Sequence, residues 1–364
     1  MIPYGTQTIS EEDIKAVSEA LKGDFLSTGP LVLKFEAAFA KYVGSKYAVA
    51  VSSGTAALHL SCLASNLKQG DEVITSPMTF VATANAALYC QAKPVFVDVN
   101  GDGLIDESKI EEKISGKTKA IIPVHYSGLP CSMEVIHQIA QKHNLIVIED
   151  AAHALGAEYK GKKIGSCAYS DMTIFSFHPV KHITTGEGGM ITTNSKELYE
   201  KLCSLRNHGL MKSHKESWLQ ELEYLGYNYR LTDFQCALGL SQLEHLGGFL
   251  KRRKEIAAKY DQAFRNLPIT APQSKDNSYH LYVIQVKDSK TRLKLFNHLR
   301  KNDIFCQVHY LPIYQHPYYQ RLGYKKGLCR EAEAFYERIL SIPIHPKLTS
   351  AQQDFVIEKI KEGL

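Results

Sequence analysis

The chain has 364 residues, enough for one large domain with a smaller companion. Its 44% hydrophobic and 22% charged residues are those of an ordinary globular protein, with no apolar run able to span a bilayer. A net charge of +5, scattered over 43 basic and 38 acidic residues, argues against a nucleic-acid partner, and the one dense basic run, Lys251-Arg-Arg-Lys254, reads as a solvated helix face.

Along the chain, Ser10 caps a predicted helix from Glu11 to Leu21. A loop follows over Gly23 to Pro30, and an amphipathic stretch from Phe35 to Tyr42 ends at Gly44, a C-cap residue. An alternation then begins. Strands are predicted at 47–51, 72–75, 95–99, 119–124 and 145–150, and helices at 55–67, 79–90, 108–114 and 133–143. Near-continuous apolar strands alternating with helices imply a mainly parallel sheet covered on both faces, an α/β fold. Further strands are predicted at 172–177 and 190–193, then a helix at 196–207 and an irregular aromatic stretch at 208–229. A long helix is expected over 232–264, broken near Gly247-Gly248. That break sets the expected boundary between a large domain, residues 1–247, and a small α/β domain, residues 248–364. In the small domain, strands are predicted at 279–286 and 304–309, and helices at 291–302, 329–340 and after Thr349.

In open α/β sheets, ligands bind beyond the carboxyl ends of the strands. Four features fall there. Ser52-Ser-Gly-Thr-Ala56 opens a helix directly after a strand, where Gly54, Thr55 and Ala56 suit an anion site or simply a good helix cap. Pro77-Met-Thr-Phe80 places an aromatic ring that stacks on a flat ligand or packs in the core. Glu149-Asp-Ala-Ala-His153 puts a carboxylate, Asp150, at a strand end, with no second carboxylate at metal spacing; His153 flanks a ring or is structural. Lys181, in Ser176-Phe-His-Pro-Val-Lys181-His-Ile-Thr-Thr-Gly-Glu-Gly-Gly189, lies among Ser, Thr and Gly rather than on a helical face. Lysine, acid and phosphate-binding groups together suit a phosphorylated aromatic aldehyde: the lysine forms a Schiff base and the acid keeps a ring nitrogen protonated. A nicotinamide enzyme would want Gly-x-Gly-x-x-Gly after the first strand, where only Gly54 stands.

Ser-Gly-Thr-Ala-Ala, Ser-Pro-Met-Thr-Phe-Val-Ala-Thr-Ala-Asn85, Glu-Asp-Ala-Ala-His153, Ser-Phe-His-Pro-Val-Lys181, Gly-Glu-Gly-Gly189 and Gly226-Tyr-Asn-Tyr-Arg-Leu-Thr-Asp233 occur in that order. Over essentially its whole length the chain resembles the DegT/DnrJ/StrS nucleotide-sugar aminotransferases, which have the fold type I architecture of aspartate aminotransferase. The resemblance implies pyridoxal 5′-phosphate as cofactor, carried by Lys181, with Asp150 on the pyridine nitrogen. It also implies Ser176 and Gly54-Thr55-Ala56 at the phosphate, Phe80 and His153 beside the ring, and Asn228 reaching the phosphate of a neighbouring subunit in a symmetric homodimer.

Two details refine the resemblance. Many members carry glutamine where this chain has His153, and a histidine there resembles the branch that aminates C4 of a UDP-linked 4-keto-6-deoxy-N-acetylhexosamine, with L-glutamate as donor. In that branch, Cys306-Gln-Val-His-Tyr-Leu-Pro-Ile-Tyr-Gln315 resembles a substrate-lining segment. It assigns His309, Tyr310, Pro312, Ile313 and Tyr314 to the nucleotide sugar, together with Asn228, Tyr4 and Phe25-Leu26-Ser27 of the N-terminal segment 1–30. Relatives in which histidine replaces the lysine are dehydratases. Here two residues separate His178 from Lys181, which sets the lysine, not His182, in the catalytic register. Aminotransferases for perosamine-type or 4-amino-arabinose-type sugars share most of these residues, and a non-catalytic regulator would show an appended helix-turn-helix pattern. Eight widely spaced cysteines, without the pairing of a redox or zinc motif, and an N-terminus without a basic or apolar signal region, give the expectation of a cytoplasmic protein.

Overall fold

The computed structural model describes residues 1–212, 216, 218–271, 274 and 276–364. Part of the irregular stretch expected at 208–229 therefore lies outside the described residues.

Seven strands form the central sheet: β1 (Tyr47–Val51), β2 (Glu72–Thr75), β3 (Lys93–Phe96), β4 (Thr118–Ile122), β5 (Ile146–Asp150), β6 (Met172–Ser176) and β7 (Gly189–Thr193). Their spatial order is β1-β7-β6-β5-β4-β2-β3. Neighbours are parallel from β6 through β3, and β7 runs antiparallel to both β1 and β6. The carboxyl ends of β1, β5 and β6 thus converge with the start of β7 on one edge, where Ser52, Asp150, Ser176 and Gly189 meet. This mainly parallel sheet flanked by helices is the fold type I architecture that the resemblance implied.

Burial on both faces explains why the strands read as apolar runs rather than as alternations. In β1, Val49 and Val51 pack with α3 (Gly54–Ala64) and α6 (Lys196–Arg206), whereas Ala48 and Ala50 face α2 (Pro30–Val43). On the α2 face, Phe35, Phe39, Phe175 and Phe177 form a ring cluster with centroids 5.1 to 6.1 Å apart. All four are fully buried, and each contributes about 1.5–3 kcal/mol of transfer free energy. The helix termini follow the sequence: Ser10 and Asp13 close a capping box on α1 (Glu11–Leu21), and Gly44 ends α2 in the left-handed region at φ 83°.

The expected break at Gly247-Gly248 is absent. Helix α7 (Asp233–Phe264) runs straight through it. Two exposed helical glycines cost about 1 kcal/mol each relative to alanine, and buried side chains on either flank offset that. Leu246 packs into the core of the sheet, and Ile256, Tyr260 and Phe264 into a second core. The boundary expected at residue 247 therefore falls inside one continuous rod. The second core also takes in α8 (Ser289–Lys301), α10 (Ser350–Gly363) and the antiparallel pair β8 (Tyr282–Gln285) and β9 (Ile339–Ile342). The helix expected at 329–340 is split into α9 (Arg330–Arg338) and β9, because the apolar run Ile339–Ile342 pairs with β8 instead of continuing the helix. Of the strand expected at 304–309, Ile304–Phe305 pairs in parallel with Ile2–Pro3 and Gln307 forms a single antiparallel bridge with Ser341, which leaves His309 and Tyr310 in a loop facing the sheet edge. The helix expected at 108–114 is two short 3-10 turns. No helix among the described residues is long and apolar enough to cross a membrane.

Candidate active site

A cavity of about 430 Å³ opens at the strand ends. Its floor is set by β1, β5 and β6, and its roof by the His309–Tyr310 loop and Tyr4.

The start of α3 forms one end. Ser53 Oγ accepts the Ala56 amide at 3.0 Å, so the cap exists, while Gly54 and Thr55 line the cavity. A Cβ on Gly54 would come within 2.9 Å of Ser176 Cβ, and one on Gly189 within 2.5 Å of the Ser53 carbonyl oxygen. Only glycines let the ends of β1, β6 and β7 close into this concave cradle. With the helix N-terminus, Thr55 and the Ser176 hydroxyl, it fits a phosphate.

At the opposite end Asp150 closes β5. Alternation along the strand sends its neighbour Glu149 to the other face, where His125 Nε2 (2.7 Å) and Thr173 Oγ1 (3.0 Å) hold it. Asp150 is buried and accepts from Thr83 Oγ1 at 2.7 Å and from the Ala152 amide at 3.1 Å. Burial pushes its carboxyl above the usual range, against Thr83, the Ala152 amide and Lys181, which pull it down. A carboxylate buried in this way gains from a protonated ring nitrogen brought opposite it.

Lys181 stands half-buried in the turn after β6, its amine turned into the cavity. Burial lowers its amine to about 8, opposed by the charge of Asp150. The Lys181 Nζ lies 3.4 Å from His280 Nε2. His153 meets Tyr310 Oη through Nε2 at 3.2 Å, and its buried Nδ1 has no partner. Burial, with Lys181 and His309 nearby, holds His153 well below its ordinary range and so neutral. His309 is likewise lowered by burial, to about 4, and its Nδ1 meets Ser341 Oγ at 2.9 Å. Phe80, 58% exposed, faces the cavity with its ring 6.2 Å from that of Tyr310.

The cavity thus brings together Tyr4, Gly54, Thr55, Phe80, Asp150, His153, Ser176, Lys181, His309 and Tyr310. Ala56 is buried behind it and contributes the amide that Ser53 caps. Other expected residues lie elsewhere. Phe25 and Leu26 are 55% and 50% exposed, and Phe25 lines a separate groove between α1 and α7. Ser27 pairs with Thr232, and Asn228 is exposed and pairs with Asn207. Pro312 does not line the cavity. Ile313 and Tyr314 are fully buried in the core, where Tyr314 Oη donates to Glu333 at 2.8 Å. Sequence reasoning passed over two residues. Thr83 stands four residues after Thr79, inside the segment that holds Phe80, so its spacing was a usable signal. His280 stands between the polar run Asp276-Asn277-Ser278 and an apolar strand, a place that marks no site, and only the fold brings it to Lys181.

The sequence profile of the DegT/DnrJ/EryC1/StrS aminotransferase family matches residues 7–361. The chain is 42% identical to the UDP-4-amino-4,6-dideoxy-N-acetyl-beta-L-altrosamine transaminase of Campylobacter jejuni, over 100% of this chain and 99% of that one. It is 43% identical to the spore coat polysaccharide biosynthesis protein SpsC of Bacillus subtilis, over 99% and 96%. Among solved structures it superposes on PseC of Helicobacter pylori, an aminotransferase involved in the biosynthesis of pseudoaminic acid. The TM-score is 0.94 at 37% identity, covering 100% of this chain and 98% of that one.

Proposed function

Because the chain belongs to the DegT/DnrJ/EryC1/StrS aminotransferase family, we propose that it transfers an amino group from L-glutamate to C4 of a UDP-linked 4-keto-6-deoxy-N-acetylhexosamine of L-arabino configuration, on a route to pseudaminic acid. The observation that carries this reading is the Lys181 amine lining the same cavity as Asp150, with the glycine cradle closing the far end. The relative named for such a transamination, identical at 42% of positions over its full length, supports the choice of sugar.

The cofactor is pyridoxal 5′-phosphate, which supplies when bound a carbon that receives and returns the amino group and a ring that spreads negative charge. Lys181 would hold it covalently, Asp150 would face the ring nitrogen, and Gly54, Thr55 and Ser176 would take the phosphate. Phe80 and His153 would flank the ring. The chain's own part in the chemistry is proton movement and placement. Lys181 Nζ, once free, accepts a proton from the α-carbon of glutamate and delivers one at C4 of the sugar. Burial favours the neutral amine that this requires, since its value of about 8 is far below that of a solvated lysine. Asp150, ionised and held by Thr83 and the Ala152 amide, keeps the ring nitrogen protonated. Tyr4, His309 and Tyr310 roof the cavity and exclude water from it.

The chain acts as a symmetric homodimer, with Phe25-Leu26-Ser27 and Asn228 serving the partner's cavity; their exposure and distance from the cavity of their own chain support this. Its eight unpaired cysteines suit the reducing cytoplasm. A second acceptor of the same class, another 4-keto nucleotide sugar, is favoured by one observation: identity to the spore coat polysaccharide protein is 43%, level with that to the transaminase.

A coupled assay separates these. Purified chain with glutamate should form 2-oxoglutarate with the L-arabino UDP-4-keto sugar and not with its D-xylo epimer. Turnover with the D-xylo sugar alone moves the reaction to the second acceptor, and turnover with no keto sugar at all removes the proposal.

A further inference from the structure

Among the described residues, His280 is the one whose side chain hydrogen-bonds the Lys181 amine, and it has no part in the proton transfers assigned to that lysine. It stands just before β8, far from Lys181 in sequence, and its Nε2 lies 3.4 Å from Lys181 Nζ. Its ring is buried, 4.3 Å from the ring of His153 and 5.6 Å from that of His182. Three further features show that this placement is built rather than incidental. Arg253 belongs to the basic run expected as a solvated helix face, yet it is fully buried, because it donates through Nη1 to the carbonyl oxygens of Tyr279 (3.1 Å), His280 (3.3 Å) and Ile344 (2.9 Å), so α7 pins the backbone that carries the histidine. Ser278, two residues before, donates through Oγ to the His153 carbonyl at 3.1 Å, and its own carbonyl meets His182 Nε2 at 3.1 Å. The Nδ1 of His280 is buried without a partner, so Lys181 is the only polar contact of the ring among the described residues.

We propose that His280 is a positioning residue for Lys181: its Nε2 holds the Lys181 amine at the inner wall of the cavity, and Arg253 holds His280. This deepens the transaminase reading and rests on it only in taking Lys181 as the reacting amine. A lysine that must be released, move a proton and close again needs a fixed resting place, and four flexible methylenes provide none. A buried neutral imidazole does. It is neutral because burial, Lys181, His153, His182 and Arg253 all disfavour a charge on it. The titratable groups around Lys181 are Asp150 from β5, His153 from the following turn, its neighbour His182, His280, Glu187 of the cavity wall, and Tyr4, His309 and Tyr310 from the roof. Of the two carboxylates Asp150 is the one whose charge acts on Lys181, and among the described residues His280 alone is in hydrogen-bond reach of Nζ. A hydrogen bond accepted from the protonated amine is stronger than one made with the neutral amine. Losing His280 should therefore make Lys181 easier to deprotonate.

The test reads the amine itself rather than turnover. The full chain, freed of cofactor, is labelled with a trace of acetic anhydride across pH, and the modified Lys181 peptide is quantified by mass spectrometry. In His280→Leu the midpoint of Lys181 reactivity should fall by about one pH unit, the size expected for one lost hydrogen bond to a charged group. His280→Gln, whose amide oxygen can reach Nζ, should keep the parental midpoint, whereas His280→Asn, too short to reach, should follow the leucine variant. Melting temperatures show which variants are folded, and the asparagine variant alone suffices if leucine does not fold. Superimposable profiles for parent and asparagine variants would overturn the proposal. In the active enzyme, His280→Asn should lower kcat with little change in the KM for the sugar; an effect confined to KM would also overturn it. Because labelling needs no turnover, a shifted midpoint in a chain that aminates no sugar would sink the function and leave this coupling standing.

Discussion

Two regions were expected to serve one reaction, and the chain treats them differently. The cofactor end of the cavity is gathered on one sheet edge: Gly54, Thr55, Asp150, Ser176 and Lys181 meet at the carboxyl ends of the strands. The residues expected at the sugar are divided. Tyr4, His309 and Tyr310 roof the cavity, Phe25 lies on another face, and Ile313 and Tyr314 are sealed in the core. Chemistry common to many acceptors is built on strand ends, which are rigid and fixed by the sheet. Recognition of one acceptor is left to loops, where it can vary without disturbing the lysine.

The comparison breaks most sharply at Lys181. Lys181→Ala should reduce turnover by about 10⁴-fold or more and abolish the visible absorbance of lysine-bound cofactor, since both the covalent hold and the proton carrier disappear. Asp150→Asn comes next, with a loss on the order of 10²-fold in kcat, because a neutral amide does not keep the ring nitrogen protonated. On the recognition side, Asn228→Ala should weaken cofactor binding about tenfold. Mixing it with Lys181→Ala should restore activity above either parent if the partner supplies Asn228, and no recovery would place both residues in one chain's site. The pH dependence is gentler. Turnover should climb as pH rises and level off above about 8, because the protonated Lys181 below that value cannot accept a proton. A profile flat through this range would remove Lys181 as the proton acceptor. Tyr314→Phe should do least. It forfeits hydrogen bonds to Glu333 and to the Cys329 carbonyl, costs about 1 kcal/mol in stability, and leaves the KM for the sugar unchanged.

The same division governs what the sequence disclosed. β1, β2 and the helix Met133–His143 sit where alternation, caps and apolar runs place them, because for each of them local pattern and tertiary burial agree. Lys181 and Asp150 were legible because strand ends in a parallel sheet are the ligand-binding edge, and both stand directly beyond apolar runs. Gly247-Gly248 misled: glycine weakens a helix locally, but burial of Leu246 on one side and Tyr260 on the other outweighs it. The Ile339–Ile342 run misled for the converse reason, since an apolar tetrad after a helix carries no period of its own until β8 is beside it. Tyr314 sits in a segment matched as substrate-lining, and nothing in its spacing distinguishes a ring aimed at a cavity from one aimed at Phe96, 5.8 Å away. His280 was illegible because its meaning is a contact across the fold with Lys181.

The proposed reaction depends on one amine, that of Lys181, carrying the cofactor. The most direct measurement is to incubate the full chain with pyridoxal 5′-phosphate, reduce with borohydride, digest, and locate the added mass. The cofactor should be fixed on the peptide containing Lys181, in one copy per chain, and absent after Lys181→Ala. Cofactor fixed on another lysine, or none fixed on a folded chain, would contradict it.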